Sequence, residues 1–541
     1  MRPGGPSRRR LVAAAGGRRS WWVTFGLLAL LFSLWSLASP LFSVPDEGAH
    51  IVNAAAVVRG QIGGEDRVVR VPELYANADD GALHCYAFLI DQPAGCAPRL
   101  RGSSRPANAA TQFDRYPPMP YLLLGLPSLL PPSVTAVRLM RLIGALACAA
   151  LVASGLMSAT SLGRGMTVAA TLVAVTPMAA FLAGSVNTSG IEVAAGIALW
   201  PSLLALVRHG PAASTRLVTR TAVTASVLAT SRPISPLWVA LAGAVVALAA
   251  GWPAVRALAA DPRVVRAAVA VAVVTAATVV WVVLRHSLVG INGAGQGHGL
   301  KSDLLTSSGR FTGLYREMIG QLGWLDTPPP ALLLFAWTAA LGGLGLLAVT
   351  AAARRGLLAL AAVTVLTFAV PVVLEAARAR TSGFPWQGRY TLPLAAGVPV
   401  LAGWLVDTGA PAVAALVRRA ARALIWVACG GEVVAHVWST RRYVTGFDGS
   451  VFYLFRSGWH PPVPAWVLLV AFVAVAAALG WWADLLVGVS PTSFPGAGRP
   501  RPGAVPGGAR GGAPGDPGDR GRRPRWAERR PPPRLTAPPR W

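Results

Sequence analysis

Three side chains that could do chemistry lie close together near the N-terminus: Asp46, Glu47 and His50. If a helix begins here with the Ser43 hydroxyl as its cap, spacings of three and four residues place all three side chains on one face. Such a face could act as a general base or hold a divalent metal ion. The simpler alternative is that the acids only stabilise the first helical turn. Spacing leaves both interpretations open, and Asp46 and Glu47 are candidate catalytic residues.

Isolated polar residues also interrupt apolar sequence further along the chain. They are Asn187, Glu192, Arg232, Glu375, Arg378, Arg380, Arg389, Glu432 and His436. Ionisable groups at membrane depth are costly, which makes them functional candidates, although an arginine there can also simply reach the lipid surface. Because arginine offers paired donors to phosphate, we predict that Arg232 and Arg389 bind a phosphate group.

The sequence WQGRY surrounds one of these arginines with aromatic and amide groups. Trp386, Gln387 and Tyr390 are therefore candidate substrate-binding residues, since rings of this kind stack on sugars. Trp and Tyr also form ordinary belts at membrane interfaces. For a metal, Mg²⁺ or Mn²⁺, the candidate ligands are Glu47, His50 and Glu192.

The chain that positions these residues has the composition of a membrane protein. Of its 541 residues 54% are hydrophobic and only 13% are charged, which is too little charge for a soluble chain of this size. Apolar runs of roughly 17 to 25 residues recur, each long enough for one transmembrane helix. We predict an all-α polytopic protein with about twelve helices, near 21–42, 139–160, 166–185, 190–207, 217–231, 235–252, 264–284, 331–351, 357–376, 388–406, 423–440 and 463–487.

Arginines predict the orientation of this membrane domain, residues 21–487. The basic arm 1–20 and the Pro/Gly/Arg-rich tail 488–541 flank it, and the net charge is +27. Basic ends are typical of the positive-inside rule, so we expect both termini in the cytoplasm of a bacterial cell, a disordered tail and no nucleic-acid partner. The first apolar run is too long for a signal peptide and is expected to be an uncleaved anchor.

Four segments are then expected on the outer side: 43–138, 285–330, 377–388 and 441–462. In the first, YPPMPYLLLGLPSLLPPS, residues 116–133, is apolar but contains six prolines, so we expect a helix in the outer interface and not a span. Cys85 and Cys96 lie in the same loop. On an oxidising side they form either a disulfide or two separate thiols.

Several motifs together resemble a known family. PDEGAH, YPPMPY, SVNTSGIE, QGRYTLPL and RRYVTGFDG with GWHPP are similar, in this order and over about residues 20–485, to the bacterial polytopic membrane family called domain-of-unknown-function family 2142. That family in turn resembles the C-type glycosyltransferases (GT-C), membrane enzymes that take a sugar from a polyprenyl-phosphate carrier on the outer side. The resemblance implies a GT-C-like fold with a long first outer loop.

The resemblance also implies roles for individual residues. Asp46 and Glu47 match the acidic position of the first outer loop, whereas Asn187, Thr188, Ser189 and then Glu192 stand where such enzymes often have a second Asp. Asp46 would deprotonate an acceptor hydroxyl while Arg232 or Arg389 holds the departing lipid phosphate, with inversion at the sugar. Glu47, with His50, would orient Asp46 or bind the metal.

The implied partners are the lipid bilayer, a polyprenyl-phosphate sugar and an envelope glycan or lipid acceptor. Two other functions suit a chain of this composition. One is a transporter or lipid flippase for an envelope glycan precursor, although the polar residues are expected on one side and not at the midplane. The other is a non-catalytic subunit for envelope assembly.

Overall fold

The structure is a computed structural model. It describes residues 17–63, 67–163, 165–288, 297–409, 414–450, 452–456 and 458–488. The basic arm before Gly17 and the tail after Gly488 lie outside the described residues. The predictions made for those two ends therefore stay predictions.

The described chain is mostly helical, with one small sheet. In order, its elements are α1 Gly17–Ala38, α2 Glu47–Val57, β1 Val68–Pro72, α3 Glu73–Ala76, β2 Pro106–Ala110, α4 Met119–Leu124, α5 Val134–Ala159, α6 Met166–Ala174, α7 Pro177–Ala183, α8 Thr188–His209, α9 Thr215–Ser231, α10 Ser235–Ala250, α11 Trp252–Ala259, α12 Pro262–Leu284, α13 Leu300–Gly309, α14 Phe311–Ile319, α15 Ala331–Ala351, α16 Arg354–Ser382, α17 Gly388–Ala395, α18 Gly397–Thr408, α19 Ala414–Thr445 and α20 Ala465–Gly488. Short 3₁₀ turns connect several of them.

Each of the twelve predicted segments has a helical counterpart, and the polytopic membrane fold is confirmed. Within the described residues, nine helices are long and apolar enough to cross a membrane, or eleven if each of two bent pairs is one span. Helix α9 is outside this count because it has 17 residues and carries Arg216 and Arg220 in its first two turns.

The predicted helix 166–185 is broken, and the predicted helix 235–252 ends in a sharp turn, each for an identifiable reason. Helices α6 and α7 meet at a bend of 64°. Pro177 begins α7 and has no backbone N–H for a continuing helix, while the Thr176 hydroxyl caps the new start. Helices α10 and α11 meet at 116°, at Gly251, whose φ of 83° lies in the left-handed region that favours glycine.

The centre of the bundle is formed by two spans that carry candidate site residues. In the most apolar window of the span beginning at Thr188, 89% of residues are buried, and 83% in the span beginning at Gly388. By contrast, α12 has only 11% of its window buried and lies at the periphery. Glu192 and Arg389 thus belong to the two most deeply buried of the candidate spans within the described residues.

The predicted outer segments do meet at one end of the bundle. Main-chain and side-chain hydrogen bonds connect them: Phe88 N to Asp326 Oδ2 at 2.9 Å, Asp448 N to Asp91 Oδ1 at 2.9 Å, and Arg310 Nη1 to Phe384 O at 2.7 Å. These contacts place all four segments on the same side of the helices. Which side of the membrane this is remains a prediction.

The first of these segments contains the one departure from an all-α fold among the described residues. Strands β1 and β2 pair antiparallel, from Val68 opposite Ala110 to Pro72 opposite Pro106. Val69 and Val71 are buried while their neighbours Val68 and Arg70 are exposed, the period of two that favours a strand. The same alternation is visible in the sequence.

The proline-rich stretch 116–133 does not span. It forms the six-residue helix α4 and a 3₁₀ turn, Leu126–Leu129. The helix is too short to cross a bilayer. Met119 and Leu129 are exposed while Tyr121 and Leu124 pack inwards, as expected for a segment lying along an interface.

Candidate active site

Asp46 occupies the N-cap position of α2 in a strained backbone conformation. Its φ and ψ are 65° and 7°, a left-handed geometry that is uncommon for residues other than glycine. Asp46, and not Ser43, is the cap residue, so the predicted serine cap is wrong. The carboxylate makes no capping hydrogen bond and is 27% exposed. Strain of this kind is often found at functional sites.

The side chain of Asp46 contacts an arginine from a distant part of the chain. Arg389 Nη2 donates to Asp46 Oδ2 at 2.8 Å, and Arg389 is itself only 1% exposed. Gln112 Nε2 reaches Asp46 Oδ1 at 3.5 Å. Asp46 is therefore held from one side by a buried cation and remains accessible from the other.

Glu47 has a different environment, because it is fully buried and fully hydrogen-bonded. Arg141 donates from Nε to Oε1 at 2.7 Å and from Nη2 to Oε2 at 2.5 Å. Backbone amides of Val186 and Phe42 donate to the same two oxygens, each at 2.9 Å. This arrangement fits a residue that fixes the position of Asp46. Neither oxygen of the Glu47 carboxylate is available to a substrate, as the predicted catalytic role would require.

His50 is a buried ring. It stacks on Phe113 with ring centroids 3.8 Å apart, and its Nδ1 lies 2.8 Å from the Tyr121 hydroxyl. Burial, with added repulsion from Arg232 and Arg389, lowers the pKa of His50 well below its usual 6.5. The predicted shared face with Asp46 and Glu47 is not formed, since the three side chains have separate partners.

The predicted metal ligands are not assembled either. Glu47 pairs with Arg141, His50 with Tyr121, and the Glu192 carboxylate accepts from the Ser235 hydroxyl at 2.6 Å. In the part of the chain that the structure describes, no three His, Cys, Asp or Glu side chains form a group able to hold a metal ion. These residues do not fit a metal site, and the metal stays an untested prediction.

Tyr390 brings the two predicted phosphate-binding arginines together. The guanidinium carbon of Arg232 lies 4.2 Å from the centroid of the Tyr390 ring, and that of Arg389 lies 5.3 Å from it. Arg232 also donates to the hydroxyls of Ser189 and, at 3.3 Å, Tyr116. Cation–π contacts of this kind fix the guanidinium groups without neutralising their charge.

Several polar atoms around these arginines are buried and have no hydrogen-bond partner within the described chain. They are Glu192 Oε2, Arg232 Nε, Arg389 Nε and Gln387 Oε1. Glu192 Oε2 and Arg232 Nε are 3.9 Å apart, too far for a direct hydrogen bond. Buried polar groups are nearly always satisfied, so such a cluster indicates a place that water or a ligand fills.

Four helices begin at this cluster. Asp46 precedes α2, Asn187 caps α8 through the Ser189 amide at 2.8 Å, Ser235 opens α10, and Gln387 precedes α17. Asn187 Nδ2 also donates to Pro45 O at 3.1 Å, which ties α8 to the Asp46 segment. The N-terminal ends of helices carry partial positive charge and favour anions.

The aromatic part of WQGRY is half-buried beside the same cluster. Trp386 and Tyr390 are in edge contact at 6.0 Å. The Trp386 amide donates to Glu375 Oε1 at 2.6 Å, and Arg310 Nη1 donates to the same oxygen at 2.6 Å. Glu375 therefore connects this stretch to the second loop, while the two rings keep partly accessible faces.

Asp79 is a site residue that the sequence reasoning missed. It lies in the loop that packs on the start of α2, where a Cβ on Gly48 would come within 2.3 Å of the Ala78 carbonyl and 2.9 Å of the Asp79 carboxylate. The carboxyl group is partly exposed, yet nearby protein atoms and the charge of Asp46 raise its pKa to about 6. The acidic pair in NADDG was the available signal.

Cys85 and Cys96 form a disulfide, with Cα atoms 6.2 Å apart. It joins the turn Gly81–His84 to the turn Ala94–Cys96. Cys148 and Cys429 are free and buried in spanning helices.

The residues of this cluster lie in a stretch that matches a protein family, described as "Predicted membrane protein (DUF2142)", over residues 28–398. The chain belongs to this family. The expected membership is thereby confirmed, and the match includes Asp46, Glu192, Arg232 and Arg389. The late motifs RRYVTGFDG and GWHPP fall beyond the matched range. This DUF2142 member is an integral, multi-pass membrane protein.

No curated protein matches the chain. The crystal structure of ArnT from Cupriavidus metallidurans bound to undecaprenyl phosphate is similar at 14% identity, covering 86% of this chain and 77% of that chain, with a TM-score of 0.37. At this identity and TM-score, the similarity does not assign the function of ArnT to the DUF2142 protein.

Proposed function

We propose that this DUF2142 protein is a GT-C-type glycosyltransferase that moves a sugar from a polyprenyl-phosphate donor to a cell-envelope acceptor on the extracytoplasmic side. The observation that carries this proposal is the group of buried polar atoms on Glu192, Arg232, Gln387 and Arg389 that have no hydrogen-bond partner in the described chain. Phosphate and sugar oxygens have the chemistry to satisfy these atoms.

Electrostatics supports the phosphate part of the proposal. Arg232 and Arg389 bring two guanidinium groups to one tyrosine ring, and the Nε atom of each lacks a hydrogen-bond partner in the described chain. The starts of α2, α8, α10 and α17 add their positive ends in the same place. A polyprenyl phosphate leaving group gains negative charge as its bond to the sugar breaks, and these groups would stabilise that charge.

Asp46 is the best candidate for the base, because it alone of the two adjacent acids has an accessible carboxylate. In the proposed step the acceptor hydroxyl gives its proton to Asp46 and its oxygen forms a bond to the anomeric carbon. The bond from that carbon to the phosphate oxygen breaks, and the lipid phosphate leaves as an anion held by the arginines. General base catalysis contributes typically about 10²–10⁴ in rate.

A transporter or flippase is a second candidate, and one observation favours it. Glu432 lies buried in α19, where Trp35 Nε1 donates to its Oε2 at 3.0 Å, and both nitrogens of the buried His436, one turn later, have no hydrogen-bond partner in the described chain. Buried ionisable pairs within spans are typical of coupled transport. Accumulation of a carrier-linked sugar inside vesicles, without a covalent product, would support this candidate.

The proposal can be tested through the lipids of a deletion strain. Loss of a transferase should leave its carrier-linked sugar unused, so lipid extracts should show a polyprenyl-phosphate sugar that the wild type lacks. Complementation with wild type should remove it, and complementation with Asp46→Asn should not. Asn tolerates the left-handed backbone of Asp46, so the variant should fold.

Asp80→Asn is the matched control for this experiment. Asp80 is an exposed acid in the same loop whose carboxylate accepts from the Ala82 amide at 2.9 Å, a bond that Asn can also make. It should clear the lipid as wild type does. If Asp46→Asn clears it equally well, Asp46 is not the base and the proposed mechanism is wrong.

A further inference from the structure

A large cavity lies beside the Asp46 cluster, outside the residues used in the proposed reaction. Its volume is about 1010 Å³, and it is bounded by the end of α1, the start of α5 and the loop segments 94–101 and 458–462. Arg141, whose guanidinium pairs with Glu47, forms part of its wall. The cavity therefore shares one wall residue with the support of Asp46.

The ionisable residues around this cavity are basic. Arg99, Arg101, Arg138, Arg141 and His460 line it, and no Asp or Glu is among the described lining residues. Arg141 is neutralised by Glu47, whereas Arg99, Arg101 and Arg138 take part in none of the salt bridges within the described chain. Three arginines without acidic partners make an environment that favours an anion.

The remaining wall is apolar and belongs to spanning helices. Leu37 comes from α1, and Leu139 and Leu142 come from α5. Leu142 is 37% exposed on the outer surface of the bundle, where a membrane span meets lipid tails. A molecule in this cavity would thus contact arginines at one end and hydrocarbon-facing leucines at the other, as the headgroup and chain of a lipid do.

The upper boundary of the cavity is covalently fixed. Ala94 and Gly95 line it, and the Cys85–Cys96 disulfide holds the turn to which they belong. Gly95 packs directly on Gly458, since a Cβ on Gly95 would lie 1.9 Å from the Gly458 carbonyl oxygen. The close approach of the two glycines brings the first and last loops together at the edge of the cavity.

We infer that this cavity binds the phosphate headgroup of an anionic lipid, which enters from the bilayer along α1 and α5. Arg99, Arg101 and Arg138 would contact the phosphate, and Leu37, Leu139 and Leu142 the first part of the chain. The inference goes beyond the proposed function, because it concerns binding in a second place and requires no sugar transfer.

The test is a binding measurement on the full-length protein in detergent micelles, with polyprenyl phosphate, dioleoyl phosphatidylglycerol and dioleoyl phosphatidylcholine as separate probes, followed by native mass spectrometry. The variant is Arg99→Gln with Arg101→Gln. Both side chains are exposed, so the fold should persist, which an unchanged melting temperature would verify. Arg105→Gln, an exposed arginine of the same loop outside the cavity lining, is the matched control.

We expect the wild type and the control alike to bind one more anionic lipid than the double variant, which binds that lipid at least about tenfold more weakly, the effect of losing charge-assisted bonds. A polyprenyl phosphate held by Arg232 and Arg389 would be common to all three proteins. Binding of polyprenyl phosphate without phosphatidylglycerol would identify the carrier as the lipid, and binding of both would identify any anionic headgroup. Equal binding by variant and wild type, or equally tight binding of phosphatidylcholine, would overturn the inference. None of these readouts depends on catalysis.

Discussion

Arg389 donates to the carboxylate of Asp46 across 2.8 Å, although the two residues are 343 positions apart in the chain. The pair joins the strained cap of α2 to the start of α17, in the central part of the bundle. Asp46 is half of an ion pair on one side and accessible on the other, so its position depends on an arginine that the proposed reaction also uses for phosphate.

The first prediction concerns the shape of that arginine. Arg389→Lys keeps the charge but loses the planar fork that reaches Asp46, Pro45 and Tyr390 together. We expect transfer, measured as clearance of the carrier-linked sugar in the complemented deletion strain, to fall about tenfold or more. Arg380→Lys, on an exposed arginine of α16, is the control and should behave as wild type. Full activity of Arg389→Lys would show that the planar guanidinium group of Arg389 is not needed for transfer.

Glu47 should matter for folding more than for chemistry. Glu47→Ala leaves the buried Arg141 cation without its partner, and breaking a buried pair in this way costs about 3–5 kcal/mol of unfolding free energy. Thermal unfolding of the purified protein would measure the loss. A double variant, Glu47→Leu with Arg141→Met, should recover much of it, because no unpaired charge remains. Wild-type stability of Glu47→Ala alone would contradict this assignment.

The raised pKa of Asp79 predicts how the free energy of unfolding changes with pH. Its pKa is raised from 3.8 to about 6 in the folded protein, so the folded state holds this proton more tightly than the unfolded state does. The associated stability is therefore present below about pH 4 and is lost as pH rises through about 6. Asp79→Asn removes this dependence.

Melting temperatures of wild type and Asp79→Asn between about pH 4 and about pH 7 would check this, since the wild type should lose stability relative to the variant across that range. The effect should be small because the carboxyl group is partly exposed to solvent. A constant difference between the two proteins at all pH values would show that the pKa of Asp79 is not raised in the folded protein.

The contact between α2 and the Asp79 loop predicts a steric effect. A Cβ at position 48 would meet the Ala78 carbonyl at 2.3 Å, and backbone on both sides cannot yield easily. Gly48→Ala should therefore displace the start of α2 and reduce transfer in the lipid-extract assay. Gly81→Ala, where nothing lies within 4 Å of the added carbon, should leave transfer unchanged. Equal activity of the two variants would show that transfer does not require the close approach of Gly48 to the Ala78 carbonyl.

The membrane fold was readable from sequence because its signal is long and repeated. Twenty-residue apolar runs have few other interpretations, and arginine clusters placed the four loops on one side, where the structure joins them through pairs such as Phe88 and Asp326. The breaks at Pro177 and Gly251 also have sequence signals. The strand pair was missed because five-residue alternation is a weak signal beside such runs.

The site was only partly predictable, because the sequence shows the residue types but not the directions in which their side chains project. Spacing could suggest that Asp46, Glu47 and His50 share a face, but Asp46 is the cap, and Glu47 and His50 project to Arg141 and Tyr121. The meeting of Arg232 with Tyr390 depends on how four helices converge, which no local pattern encodes. Asp79 approaches α2 only because Gly48 permits it.

The long separation between Asp46 and Arg389 has a consequence for biosynthesis. The acid leaves the ribosome about three hundred and forty residues before its arginine. A nascent chain that stalls before α17 therefore has the acid but lacks the cation that holds it. Completion of the late helices, and not insertion of the early ones, is the event that assembles this site.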